Sequence, residues 1–292
     1  MATLRLGPVL RHVGERDATI WVETTVPCEV EVVAGAVRGA ERTFTVAGHH
    51  YALVVVDGLE PASSTPYDVR IDGDIVWPEP DSTFPPSRVR TLDPERPISM
   101  LFGSCREAPG VRPSVAHLAP DALQAYGARM ATLDEGEWPH LLLLIGDQIY
   151  ADDTSPAVQD RIRAKRDIRR GAKKQVADFE EYTWLYDESW GEPTVRWLLS
   201  TMPSSMIFDD HDVRDDWNTS HAWRVDMQQT DWWDERITSA LASYWIYQHL
   251  GNLSPALLAE NELYARVRSV PDAAEILRTF ARAADHEADG AA

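Results

Sequence analysis

The sequence is poor in cysteine, poor in basic residues and free of long apolar runs. Its 292 residues include two cysteines, Cys28 and Cys105, which cannot form a disulfide framework and therefore fit a reducing compartment. Lys and Arg number 28 against 47 Asp and Glu, and the net charge of −19 argues against non-specific binding to nucleic acid or to an anionic membrane. No stretch approaches the roughly 18 consecutive apolar residues that a membrane-spanning helix needs.

The opening segment also lacks the pattern of a secretion signal. It has no basic start followed by an apolar core and a small-residue cleavage site, so we expect a cytoplasmic protein without a membrane span. With 44% hydrophobic and 26% charged residues, the composition is typical of a globular chain. The residue pattern changes near residue 95, which predicts two domains, residues 1–95 and 96–292.

The first domain is predicted to be a small antiparallel β-sandwich. Short runs rich in Val, Ile, Thr and Tyr alternate with Gly, Pro, Asp and Ser. The predicted strands are Ala18–Thr25, Glu29–Val33, Arg42–Ala47, Tyr51–Leu59 and Tyr67–Val76. We expect Trp21 to be a core residue, and His49 and His50 to lie in a loop at the surface of the sandwich.

The second domain is predicted to have an α/β core. It follows the Pro-rich stretch Trp77–Pro97, which we interpret as a semi-rigid linker. Two near-continuous apolar runs, Ile98–Cys105 and His140–Asp147, are typical of strands buried on both faces of a parallel or mixed sheet. A helix is predicted between them over Ser114–Glu135, and a third strand over Ser204–Asp212.

Each of these three strands ends in a cluster of polar residues. The clusters are Phe102–Cys105 with the following Arg106, then Ile145–Asp153, and then Ile207–Asn218. Ligands of open α/β sheets bind beyond the carboxyl ends of the strands. We therefore expect the three clusters to share one edge of the sheet.

The polar clusters offer ligands for a metal ion. Asp147 and Tyr150 lie three residues apart just after a strand, so that a tight turn allows both side chains to reach one ion. A carboxylate with a phenolate suits a trivalent ion such as iron(III), which would lower the pKa of the tyrosine. Cys105 adds a thiolate, a good ligand for first-row transition metals. The acids that surround His211 would repel one another unless cations were present.

The three motifs together resemble the PhoD-like alkaline phosphatases (alkaline phosphatase D), a branch of the metallophosphoesterases. The motifs are GSC at 103–105, GDQIY at 146–150 and DDHD at 209–212. The resemblance implies a fibronectin-like β-sandwich followed by a metallophosphoesterase α/β core with a mixed sheet and helices, which makes the whole chain α+β. The second half-sheet of that family, typically with a D-x-H motif, has no counterpart after residue 212, so we expect an incomplete core.

The resemblance also implies roles for individual residues. Cys105, Asp147, Tyr150 and Asp210 would be metal ligands, with Asp147 bridging two ions. His211 would interact with the transferring phosphoryl group and the leaving oxygen. The ions would be iron(III) and calcium, or manganese or zinc as in a more general metallophosphoesterase.

Two further basic features are candidates for contacts with phosphate. Arg106 follows the expected ligand Cys105, and its guanidinium could hold two phosphate oxygens at once. The segment Arg161–Lys174 contains eight basic residues and is either a solvated helix or a positive rim that attracts anionic substrates.

The expected function is metal-dependent hydrolysis of a phosphate monoester or diester by a metal-activated water. Two alternatives stay open at this point. One is a phosphodiesterase that acts on lipid- or polymer-linked phosphate, and the other is an inactive chain that serves as a binding module.

Overall fold

The computed structural model describes residues 2–107 and 121–290 of the chain. The strands in these ranges are β1 (Leu4–Val13), β2 (Asp17–Thr24), β3 (Glu29–Ala34), β4 (Val37–Arg42), β5 (Phe44–Val46), β6 (His49–Asp57), β7 (Ser64–Ile71), β8 (Asp74–Trp77), β9 (Arg88–Arg90), β10 (Met100–Gly103), β11 (Leu141–Ile145) and β12 (Ser204–Ile207). The helices are α1 (Ala122–Met130), α2 (Pro156–Lys165), α3 (Phe179–Trp190), α4 (Pro193–Thr201), α5 (Asp210–Val213), α6 (His221–Gln228), α7 (Trp233–Tyr244), α8 (Pro255–Glu260), α9 (Glu262–Arg268) and α10 (Ala274–Gly290). No helix in the described ranges combines the length and the apolar character that crossing a bilayer requires.

The N-terminal strands form two antiparallel sheets, as the sequence predicts. One sheet has the order β1-β2-β6-β5 and the other has the order β4-β3-β7-β8, with β9 paired to β7. In β3 the fully buried Val30 and Val32 alternate with more exposed glutamates, because successive side chains of a strand point to opposite faces. Trp21 in β2 is fully buried, which confirms its predicted place in the core.

Two segments of the N-terminal half differ from the prediction. The predicted strand Tyr67–Val76 is a hairpin of β7 and β8, because Asp72 and Gly73 have positive φ angles of 52° and 89° and reverse the chain. The predicted linker contains β9, which pairs with β7, and it begins at the buried Trp77. The prolines of this stretch therefore belong to an irregular edge of the sheet and not to a linker between two domains.

His49 and His50 lie in β6 and not in a surface loop, so that prediction is wrong. The turn is confined to Ala47 and Gly48, and Val46 of β5 already pairs with His49 of β6. His49 is only 6% exposed, and its two ring nitrogens lie 2.9 Å from Glu23 Oε1 and 2.6 Å from Glu180 Oε2. Burial alone would lower the pKa of His49, but the hydrogen bonds with these two carboxylates outweigh it and raise the pKa.

Three parallel strands, in the order β10-β11-β12, form the sheet of the second half. One face is covered, and Leu142, Leu144 and Met206 are buried there. On the other face Phe102 is 67% exposed and Ile207 is 52% exposed. Within the described residues, the prediction that these strands are buried on both faces is therefore wrong. The predicted helix between the first two strands is described only as α1, since residues 114–120 lie outside the described residues.

A hydrophobic core joins the two halves of the chain, beside a second core that lies between the antiparallel sheets. The ring centroid of Trp21 lies 6.0 Å from that of Trp190 and 5.2 Å from that of Tyr247. Arg11 of β1 is buried in the same region and donates hydrogen bonds to the carbonyl oxygens of Tyr247 and Gln248 at 3.0 and 2.6 Å. The antiparallel sheets therefore support the helices that pack on the parallel sheet.

Candidate metal centre

The carboxyl ends of the three parallel strands bring three possible metal ligands together. Cys105 follows β10, Asp147 follows β11 and Asp209 follows β12. One ligand atom of each residue lies within 4.8 Å of the others, and Asp147 is the buried member of the group. A thiolate with two carboxylates is a donor set that suits a first-row transition metal. The residues present therefore fit a metal ion at this edge of the sheet.

Asp147 occupies the most enclosed position of this group. Its Oδ1 accepts a hydrogen bond from the backbone N–H of His211 at 3.0 Å. Burial raises the pKa of Asp147, and a hydrogen bond with Cys105 and the charge of His211 oppose that rise. A side chain at Gly146 would lie 2.5 Å from the backbone nitrogen of Cys105, so glycine allows the two loops to approach closely.

His211 lies beside the three ligands, in the first turn of α5. Its Nδ1 is 2.8 Å from Asp152 Oδ1, and its ring centroid is 4.7 Å from that of Tyr150. Burial alone would lower the pKa of His211, but the hydrogen bond and the charge of Asp152 raise it. The sequence analysis missed Asp152, whose only signal was its place among the acids that follow the GDQIY motif.

Asp210 does not belong to the group that contains Cys105. It lies instead with Asp215 and Asp216, in a second set of carboxylates within 4.8 Å of one another. Asp209, which caps α5 by accepting a hydrogen bond from the backbone N–H of Asp210 at 2.9 Å, joins the first group in its place. Both acids follow the same strand end, so their spacing in the sequence does not decide which of them meets the cysteine.

The last acid of the DDHD motif is buried and binds the surrounding loops. Asp212 accepts hydrogen bonds from the backbone N–H of Gln148 at 3.1 Å and from Nε2 of Gln248 at 2.7 Å. Burial, and then the charge of Asp147, raise the pKa of Asp212 well above its usual range. This carboxyl group therefore connects the loop after β11 to the helical turn after α7.

Arg106 is held inside the protein by its own hydrogen bonds. Nε and Nη2 donate to Asp121 Oδ2 at 2.9 and 2.7 Å, and Nη1 donates to Ser189 Oγ at 2.7 Å. The residue is 8% exposed, and its backbone N–H donates to the carbonyl oxygen of Asp147 at 2.8 Å. These contacts favour a positioning role for Arg106, between α1, α3 and the loop of Asp147, over the predicted contact with phosphate.

Comparisons with known protein families cover both halves of the chain. The profile of the PhoD-like phosphatases matches residues 114–271, which is more than half of the 292 residues. A domain of unknown function (DUF7800) matches residues 1–89. A search of the curated proteins gave no match.

Comparison with solved structures shows similarity to the structure described as "Structure of PhoD". The TM-score is 0.57 at 15% identity, and the match covers 86% of this chain and 46% of that chain. The likeness shows the fold, and the chain spans about half the length of that structure. A type III pullulan hydrolase from Thermococcus kodakarensis matches at 10% identity over 80% of this chain and 46% of that one, with a TM-score of 0.22, which is too low to indicate a shared fold. With its fold and more than half of its length matched, the chain belongs to the PhoD-like phosphatase family.

Proposed function

We propose that this chain hydrolyses phosphoric esters at a metal centre held by Cys105, Asp147 and Asp209. The observation that carries the proposal is the convergence of these three ligand atoms within 4.8 Å, beside His211. Bound metal ions would supply positive charge that offsets the charge of the phosphate and would favour water as the nucleophile. The carboxylates of Asp147 and Asp209 also make a bound cation favourable, since they would otherwise repel one another.

The proposed role of His211 is to hold or donate a proton at the leaving oxygen of the ester. A neutral alcohol or phenol leaves more easily than its anion, and histidine is the side chain most often used for this transfer. Asp152, at 2.8 Å from Nδ1, would keep the ring oriented. The other nitrogen, Nε2, lies 3.5 Å from Oδ1 of the exposed Asp215, and this side chain would move aside for the leaving oxygen.

The identity of the ions and two further ligands are also proposals. Iron(III) with calcium is our first choice, and manganese or zinc is the second. Tyr150 and Asp210 are further ligand candidates, because Tyr150 lies against the ring of His211 and Asp210 directly follows Asp209. Arg106 would act on the site only through the loop of Asp147.

Hydrolysis of p-nitrophenyl phosphate and bis-p-nitrophenyl phosphate tests the proposal. We expect Asp147→Ala to reduce the rate with either ester at least about 100-fold, because the variant loses the enclosed ligand. Asp226→Ala, which removes an exposed carboxylate of α6, is the matched control and should keep the full rate. Equal rates in the two variants would contradict the proposal, and the ratio of rates on the two esters distinguishes a monoesterase from a diesterase.

A further inference from the structure

The basic segment Arg161–Lys174 divides into two parts with different surroundings. The first part lies in α2 and directly after it, and its cations have partners. The guanidinium of Arg161 lies 4.2 Å from the ring centroid of Trp184, and Lys165 Nζ lies 2.6 Å from Asp178 Oδ1. This part fits the solvated helix that the sequence allowed.

The second part is the loop after α2, and three of its cations differ from those of α2 in their lack of an acidic partner within the described residues. Arg170, Lys173 and Lys174 are exposed, and no carboxylate of the described residues lies within ion-pair distance of any of them. The chain has 47 acidic residues, so the lack of a carboxylate near these cations does not reflect a shortage of acidic residues. Three unpaired positive charges within five residues repel one another, and a bound anion would relieve that repulsion.

The backbone of this loop is held in place from several sides. Nη1 of Arg166 donates to the carbonyl oxygen of Lys173 at 2.7 Å, and Oγ1 of Thr154 donates to the carbonyl oxygen of Lys174 at 2.9 Å. The buried side chain of Ala172 anchors the centre of the loop. Lys173 has a φ of 57°, an uncommon conformation for a residue other than glycine. A loop fixed in this way presents its charges with little loss of entropy on binding.

Hydrogen bonds join this loop directly to the candidate metal centre. The backbone N–H of Val176 donates to the carbonyl oxygen of Ala151 at 2.8 Å, and the N–H of Ala151 donates to the carbonyl oxygen of His211 at 2.9 Å. Backbones paired through such bonds lie about 5 Å apart, so Val176, two residues after Lys174, lies within about 10 Å of the backbone of His211. The loop that carries the unpaired cations is therefore joined through two backbone hydrogen bonds to the residue that would act on the leaving group.

We propose that Arg170, Lys173 and Lys174 form a second anion-binding surface, which holds the non-reacting phosphate groups of a substrate with several phosphates. The metal centre would hold the phosphate group that reacts, and the loop would hold the others. The identity of the reacting ester rests on the proposed function, whereas anion binding by the loop does not depend on hydrolysis.

Calorimetric binding of inorganic tripolyphosphate, compared with orthophosphate, tests this surface. The full chain is first dialysed against a chelator, so that tripolyphosphate does not withdraw metal during the titration. The test variant combines Arg170→Gln, Lys173→Asn and Lys174→Gln, with asparagine chosen because it tolerates positive φ. The control combines Arg16→Gln, Arg129→Gln and Arg266→Gln, which removes the same charge from exposed sites elsewhere.

We expect the unaltered chain to bind tripolyphosphate more tightly than orthophosphate. The test variant should lose about tenfold in tripolyphosphate affinity at low salt, the sum of three exposed charge contacts, and the control should lose little. Equal losses in the two variants would show that only the net charge of the chain matters, and would contradict the proposal. Equal affinity of the unaltered chain for tripolyphosphate and orthophosphate would also contradict it. Binding through the loop without hydrolysis of any ester would contradict the proposed function alone.

Discussion

Two carboxylates fix different parts of His211. Asp152 lies at hydrogen-bond distance from its ring, whereas the buried Asp147 accepts its backbone N–H, so that the ring and the backbone are fixed by different partners. A histidine held in this way can donate a proton to a leaving oxygen without losing its orientation. The residue therefore provides a test of the proposed chemistry that does not remove a metal ligand.

We predict that His211→Ala lowers kcat by about 100-fold or more on an alkyl phosphate and by much less on p-nitrophenyl phosphate. The difference arises because an alkoxide needs a proton to leave, whereas p-nitrophenolate is a good leaving group without one. Steady-state kinetics on both esters measure it, with the exposed His221→Ala as control. An equal loss on both esters would show that His211 does not donate the proton.

At the scale of the elements, β1 connects the antiparallel sheets to the turn that follows α7. Arg11 provides this connection through the carbonyl oxygens of Tyr247 and Gln248 and through Oδ1 of Asn252 at 2.9 Å. The sequence analysis did not predict β1, because Gly7, Pro8 and Arg11 interrupt the alternation on which strands are recognised. The burial of Arg11 can be explained only when its hydrogen-bond acceptors, which are distant in the sequence, are known.

We predict that Arg11→Met lowers the free energy of unfolding by about 3 kcal/mol, because it leaves buried carbonyl groups without donors. Urea denaturation followed by tryptophan fluorescence measures the change. Arg16→Met, at an exposed position nearby in the sequence, should stay within about 0.5 kcal/mol of the unaltered chain. A similar loss in both variants would mean that the hydrogen bonds of Arg11 contribute nothing specific.

The parallel sheet shows what the sequence could and could not predict about the elements. Its apolar runs predicted strands, and the polar residues after them predicted a shared edge, because both depend on local pattern and on the direction of the strands. The exposure of Phe102 and Ile207 could not be predicted, since burial of a sheet face depends on what covers it. The grouping of Asp209 instead of Asp210 with Cys105 likewise depends on the turn into α5.

At the scale of the whole molecule, a buried polar cluster joins the two halves of the chain. Glu23 and His49 belong to the antiparallel sheets, and Glu180 belongs to α3. Glu23 also accepts a hydrogen bond from the hydroxyl of Tyr247 at 2.8 Å, and Arg5 Nη2 donates to Asp187 at 2.8 Å nearby. The ionisation of His49 therefore affects how strongly the sheets hold the helices.

We predict that this cluster makes stability depend on pH. The pKa of His49 is raised in the folded chain, so protonated His49 contributes its full stabilisation below about pH 6.5, the unfolded value, and loses it as the pH rises through the folded value. His49→Gln should therefore destabilise the chain by on the order of 1 kcal/mol more at about pH 6 than at about pH 9. Denaturation at the two pH values measures the difference.

His50→Gln is the control for this pH dependence. Burial lowers the pKa of His50, so its replacement should not produce a larger loss on the acidic side. A loss of stability in His49→Gln that is the same at both pH values would contradict the role assigned to the buried cluster.

The most direct test of the account is the metal content of the purified chain, measured by mass spectrometry beside Asp147→Ala and the control Asp226→Ala. The account predicts a stoichiometric transition metal in the unaltered chain and in the control, and its loss from Asp147→Ala together with loss of ester hydrolysis. A folded chain that contains no metal and gains none from added iron, manganese or zinc would contradict the metal centre. The inactive binding module would then be the remaining interpretation of the sequence.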